Sequence, residues 1–179
     1  MTVVGVLLAG GASRRMGRDK ASICVEGISM AERAQRLLLE VTDRVVVVGH
    51  ARGVDLLPAV SVLPDAQPGA GPLAALSVVV DAYPGDRLVV VAVDQPRLTP
   101  SLLRTIRDHP NDICAYSLAG RIEPLPMALN GGSPHVRAGL RGGMHRLRDL
   151  PLTLIPLAAA DAWQFVNVND EGELLRLGR

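Results

Sequence analysis

"VVGVLLAGGASRRMGRDK", Val3 to Lys20, decides how this chain reads. Val3 to Leu8 is a short apolar run rich in valine, which predicts a strand buried on both faces. Gly10 and Gly11 end it, and Arg14, Arg15, Arg18 and Lys20 follow within seven positions. Glycines let backbone N–H groups close on an anion. Lys20 is the single lysine of the chain, against eighteen arginines. A lysine ammonium is a compact charge on a flexible stem, suited to reaching between phosphate oxygens, whereas the guanidinium fork is broader. The loop is neither GxGxxG nor GxxxxGK[ST]. It reads as a nucleotide phosphate site after the first strand, against the alternative of a solvated basic surface loop.

Outward from this stretch, apolar runs and helical periods alternate. Met30 to Thr42 has the apolar spacing of an amphipathic helix. Arg44 to Gly49 and Val60 to Asp65 predict a second and a third buried strand. Pro72 to Tyr83 predicts a helix with proline in its first turn. The apolar run Leu88 to Val93 stops at Asp94. Thr99 and Pro100 read as N-cap and first residue of another helix. "DICAYSL" predicts a strand. Pro124 to Leu129 is flanked by proline and predicts an edge or crossover strand. Residues 131 to 150 read as helical pieces separated by glycines, and "PLTLIPL" as a strand. The last stretch predicts a short extended piece, then a helix from near Asp170. Such alternation argues for an α/β domain with a mostly parallel sheet and helices on both faces. In such sheets ligands bind outside the carboxyl ends of the strands. The chain reads as one domain over 1–179.

Composition narrows the function. The 179 residues carry a net charge of +1, so no general attraction to nucleic acid or anionic membrane is expected. Four aromatic residues leave no platform for stacked bases. Cys24 and Cys114 form no CxxC and read as reduced, largely buried thiols. Four histidines in no ligand spacing argue against zinc. The N-terminal run lacks a basic segment ahead of it, and no run has the length of a membrane span, which gives the expectation of a cytoplasmic protein.

The residues that follow strands are the informative ones. Asp94 either caps a turn or, beside a phosphate loop, faces the ligand, and a carboxylate with phosphates is a magnesium environment. Asp65 either forms a turn or contacts the ligand. Asn167 and Asn169 alternate in "FVNVND", which points them to one face; they serve either a metal and phosphate site or the turn before a helix. No Ser/His/Asp or Cys/His arrangement is evident.

"LAGGASRRMGRDKA" resembles the LAGGxSxRMGxDK signature of nucleotidyltransferases, in the molybdenum cofactor guanylyltransferase family. "DAQPGAGPLAAL", "VDQPRL", "GRIEPLPMAL" and "FVNVNDEGEL" are similar to further family segments, in the family's order and over nearly the whole chain. The resemblance implies a three-layer Rossmann-like nucleotidyltransferase fold. It implies transfer of GMP from Mg-GTP to molybdopterin or molybdenum cofactor, with release of pyrophosphate. It assigns Leu8, Ala9 and Gly10 to the nucleotide, Lys20 to phosphate, Asp65 to the nucleotide and Asp94 to magnesium, with Asn167 as a supporting metal ligand; by the chemistry of the loop Gly11 also approaches the nucleotide, Arg15 shares the phosphate charge with Lys20, and Asp94 faces the nucleotide. Residues of about 1–100 would bind nucleotide and about 101–179 the acceptor, with Arg121, Arg141 and Arg146 as candidates for an acceptor phosphate site. Molybdoenzyme maturation proteins are the expected partners. The competing readings are a cytidylyltransferase, a sugar-phosphate nucleotidyltransferase, and a GTP-binding maturation protein without catalysis. Val48-Gly49-His50 departs from the polar residue usual at the second strand's end.

Overall fold

The computed structural model describes residues 1–9, 20–49, 56–58, 60–64, 69–168 and 173. Its centre is a seven-stranded sheet. The strands are β1 (Val3–Leu8), β4 (Arg44–Val48), β5 (Val60–Leu63), β6 (Arg87–Ala92), β7 (Ile113–Leu118), β8 (Arg121–Asn130) and β9 (Thr153–Pro156). Their order is β5-β4-β1-β6-β8-β7-β9. β1 pairs in parallel with β4 and β6, β4 with β5, and β7 with β9. β8 alone runs against its neighbours β6 and β7. A two-stranded hairpin, β2 (Cys24–Val25) and β3 (Ile28–Ser29), precedes the first helix. Its Glu26-Gly27 turn has φ of 54° and 80°, the left-handed pair that tight hairpins need.

Among the described residues four α-helices cover the sheet: α1 (Met30–Leu39), α2 (Pro72–Ala82), α3 (Pro100–Arg107) and α4 (Pro134–Arg141). α1 and α3 pack on one face through Leu38, Leu103 and Ile106, against Leu7, Val89 and Val91. α2 and α4 pack on the other through Leu76, Val79 and Val136, against Val6, Val90 and Met127. This is the three-layer Rossmann-like fold expected from the sequence. Local chemistry sets the helix starts. Ser29 Oγ accepts from the Glu32 N–H at 3.1 Å, and Thr99 Oγ1 accepts from the Leu102 N–H at 3.4 Å, with Pro100 following as expected. Gly5 explains why the first strand tolerates a glycine: a Cβ there would lie 2.9 Å from Thr42 Oγ1 and 3.0 Å from Leu38 Cβ, so only glycine lets α1 sit this close.

Four expectations change. Residues 124–129 are not an edge: they lie within the ten-residue β8, interior to the sheet. The two prolines fit because the register with β7 jumps from Met127 to Glu123, and pairing with β6 begins only at Met127, so no ladder bond is asked of them. β5 is an edge strand with Ser61 and Val62 exposed, not a buried one. Cys24 is exposed, on the short hairpin, while Cys114 is buried in β7; both thiols are free. Residues 159–165 form a 3₁₀ helix and 166–168 carry no strand pairing. The helix expected from Asp170 lies outside the described residues. No helix among the described residues is long and apolar enough to cross a membrane.

Candidate active site

The strand order turns over at β1. From β1 the chain builds outward through β4 to β5, then returns to place β6 on the other side of β1. In sheets of this kind the change of direction in strand order marks the carboxyl edge beside β1 and β6 as the place where a ligand crevice forms. Ala9 stands at one tip and Asp94 just past the other. The two tips are tied: the Val93 N–H donates to the Leu8 carbonyl at 3.3 Å, and the Ala9 N–H donates to the Val48 carbonyl at 3.0 Å. These backbone groups of Leu8 and Ala9 are thus committed to the sheet.

Lys20 returns to this crevice from the far end of the glycine-rich loop. It opens a 3₁₀ turn, Lys20–Ser22, whose Ala21 is buried in the α1 face. Its Nζ lies 3.1 Å from Oδ2 of Asp94, seventy-four residues later in the chain, with 19% and 24% of the two side chains exposed. A cation suited to phosphate and a carboxylate suited to a divalent ion share one spot at the mouth of the crevice. No group of three or more His, Cys, Asp or Glu side chains gathers into a metal cage among the described residues. Among the described residues the site has one carboxylate, and such a donor set suits a divalent ion shared with phosphates rather than one held by the protein alone.

Comparison with known proteins agrees with the geometry. The family described as "MobA-like NTP transferase domain" matches residues 5–152. The chain belongs to this family. It is 32% identical, over 97% of its length and 93% of the other's, to the molybdenum cofactor guanylyltransferase of Xanthomonas euvesicatoria pv. vesicatoria. Molybdopterin-guanine dinucleotide biosynthesis protein A from Archaeoglobus fulgidus has the same fold, with a TM-score of 0.77 at 19% identity over 98% of this chain and 96% of that one. So does 2-C-methyl-D-erythritol 4-phosphate cytidylyltransferase from Thermus thermophilus, with a TM-score of 0.73 at 14% identity over 99% and 98%. The resemblance read from the sequence is borne out, and the chain is a nucleotidyltransferase.

Within this MobA-like domain, the loop carrying Asp94 is fastened by the second half of the chain. The Val168 N–H donates to the Asp94 carbonyl at 2.9 Å. Gln95 is 7% exposed, and its Nε2 donates to the Leu125 carbonyl at 2.9 Å, in the β8 bulge. Thr99 Oγ1 donates to Gln164 Oε1 at 2.7 Å. The segment supplying Gln164 and Val168 is anchored by Phe165, whose ring meets Tyr116 edge-on at 5.6 Å. The Tyr116 hydroxyl donates to the Leu102 carbonyl at 2.8 Å, and burial pushes this phenol up to about 12. Sequence reasoning missed Gln95, Gln164 and Val168. Gln95, a polar residue between a strand tip and a proline, carried a signal; a backbone N–H such as that of Val168 carries none.

Other expected site residues stand as follows. Asn167 is exposed, next to the residue that bonds Asp94. Gly10, Gly11, Arg15, Asp65 and Asn169 lie outside the described residues. Arg121 pairs with the buried Glu123, Nη2 to Oε1 at 2.5 Å. Arg141 ends α4 and Arg146 lies beyond it, both exposed. The loop between them packs on the start of α2, where a Cβ on Gly71 would lie 3.5 Å from the His145 carbonyl.

Proposed function

We propose that this chain transfers GMP from magnesium-GTP to molybdopterin or its molybdenum-bearing form, releasing pyrophosphate. The observation that carries the reading is the Lys20–Asp94 pair at the crevice, in a chain alignable almost end to end with a molybdenum cofactor guanylyltransferase. An oxygen of the pterin's terminal phosphate attacks the α-phosphorus of GTP. The bond from that phosphorus to the bridging oxygen breaks, and its electron pair leaves with pyrophosphate. The attacking phosphate is already ionised at neutral pH, so no general base is needed. This fits a site whose charged pair, among the described residues, is Lys20 and Asp94.

The barrier lies in bringing one anion to another, so catalysis rests on positioning and charge. Lys20 offsets charge on the triphosphate and the departing pyrophosphate, and Arg15 assists it. Asp94 is the magnesium carboxylate, with Asn167 in support; Lys20 engages its Oδ2, and a carboxylate with phosphates suits this ion. Bound magnesium would neutralise phosphate charge and favour attack on phosphorus. Asp65 is the candidate reader of guanine, whose N1–H and 2-amino group one carboxylate accepts together. The acceptor binds to the half beyond about residue 100, with Arg121, Arg141 and Arg146 near its phosphate. A cytoplasmic location and hand-over of the product to molybdoenzyme maturation proteins belong to the same reading.

A nucleotide panel tests it. Purified protein, molybdopterin and magnesium should release pyrophosphate with GTP and far less with CTP or other nucleotides. Equal turnover of GTP and CTP would sink the guanine assignment. GTP binding with no magnesium-dependent turnover would favour a non-catalytic role. Asp65→Asn should narrow the gap between GTP and CTP.

A further inference from the structure

Lys20 and Asp94 are paired, and this has a consequence for the order in which ligands bind. Their 3.1 Å contact is partly withdrawn from water. Neither backbone is loose: the Lys20 turn is anchored by Ala21, which is 1% exposed, and the Asp94 carbonyl is held by the Val168 N–H. A divalent cation arriving alone at Asp94 must displace the ammonium or tolerate it at close range, and at this depth solvent does not fully screen that repulsion. A triphosphate changes the balance, because it offers the ammonium other anionic oxygens and so frees the carboxylate.

We propose that Lys20 keeps free divalent metal off Asp94 until a nucleoside triphosphate arrives, so that the site takes up metal and triphosphate as one unit. This rests on the reading of Asp94 as the metal carboxylate. It also accounts for the single lysine in an arginine-rich chain. A guanidinium would grip the carboxylate with two parallel hydrogen bonds and release it poorly, whereas an ammonium is a point charge that moves between anions. The coupling is reciprocal: what weakens metal binding without triphosphate strengthens each ligand's binding in the presence of the other.

The test measures Mn²⁺ binding to the whole, nucleotide-free protein by electron paramagnetic resonance. Lys20→Met, with Lys20→Gln as a second neutral variant, should bind Mn²⁺ on the order of tenfold more tightly than wild type, through loss of a neighbouring like charge. Lys20→Arg should bind it no more tightly than wild type. Lys20→Met combined with Asp94→Asn should lose the gain. Circular dichroism and melting curves show whether each variant is folded. Unchanged or weaker Mn²⁺ binding in both folded neutral variants overturns the proposal. If wild type then takes up Mn²⁺ with GTP and Asp94→Asn does not, the reading of Asp94 survives that failure. If the double variant keeps the gain, the ion sits elsewhere, and both the proposal and that reading fail.

Discussion

β6 carries a charge at each end, and the two ends behave differently. Arg87 opens the strand and is 4% exposed. Its Nε reaches the Arg107 carbonyl at 3.2 Å. Nη1 reaches the carbonyls of Asn111 at 3.0 Å and Asp112 at 3.1 Å, and Asn130 Oδ1 at 3.0 Å; Nη2 reaches the carbonyls of Ile106 at 3.4 Å and His109 at 3.0 Å. All but Asn130, which ends β8, are backbone carbonyls at and just past the C-terminal end of α3, where the helix dipole favours a cation. Asp94, beyond the other end, has one ionic partner among the described residues, and that partner is a flexible ammonium. A charge whose bonding capacity is spent on fixed backbone groups holds the fold and has nothing left for a ligand. A charge with one exchangeable partner is available for chemistry.

Substitutions at the two ends should therefore separate activity from stability. Asp94→Ala is expected to lower turnover on the order of 10²–10³-fold, the scale of losing one electrostatic catalytic group, with the melting temperature close to wild type. Arg87→Met should do the reverse: stability falls by about 3 kcal/mol in urea unfolding, because several buried carbonyls lose a charged donor together, while KM for GTP in the folded fraction is unchanged. A large loss of stability from Asp94→Ala would erase the distinction. Gln95→Leu sharpens it. Removing the bond from the Asp94 loop to β8 should cost roughly tenfold in turnover and raise the magnesium concentration for half-activation, a shift that simple destabilisation would not produce.

The smallest expected effect concerns Tyr116, whose ring supports the segment that fastens Asp94. Its folded pKa, pushed up to about 12 by burial, lies above that of an unfolded tyrosine, near 10. The neutral phenol is the form the fold favours, so its contribution is fully present below about pH 10 and is lost as pH rises toward 12. Tyr116→Phe should cost about 1 kcal/mol at neutral pH through the lost bond to Leu102, and should remove this component of the alkaline decline in unfolding experiments.

What was legible in the sequence follows from range. Val3–Leu8, the Thr99-Pro100 cap and the run ending at Asp94 are set by residues adjacent in the chain, and each appears where the pattern puts it. β8 was misread because proline argues against an interior strand, and only the register jump opposite Ala115 and Tyr116 reveals why it is tolerated. β5 was misread because an apolar run does not say whether a second neighbour will pair with it. In the site, the meeting of Lys20 and Asp94 follows from the rule that strand tips at a switch point share a crevice. The fastening through Gln95, Gln164 and Val168 does not, because hydrogen bonds to backbone carbonyls leave no periodic trace.

The bond from Val168 to Asp94 also has a consequence for biogenesis. A ribosome makes Asp94 long before Val168, so the nascent chain assembles its central strands while this carbonyl still awaits its last partner. Until the later segment docks, the newborn chain carries Asp94 on a strand tip lacking that restraint, and the bond that fastens it is among the last to form.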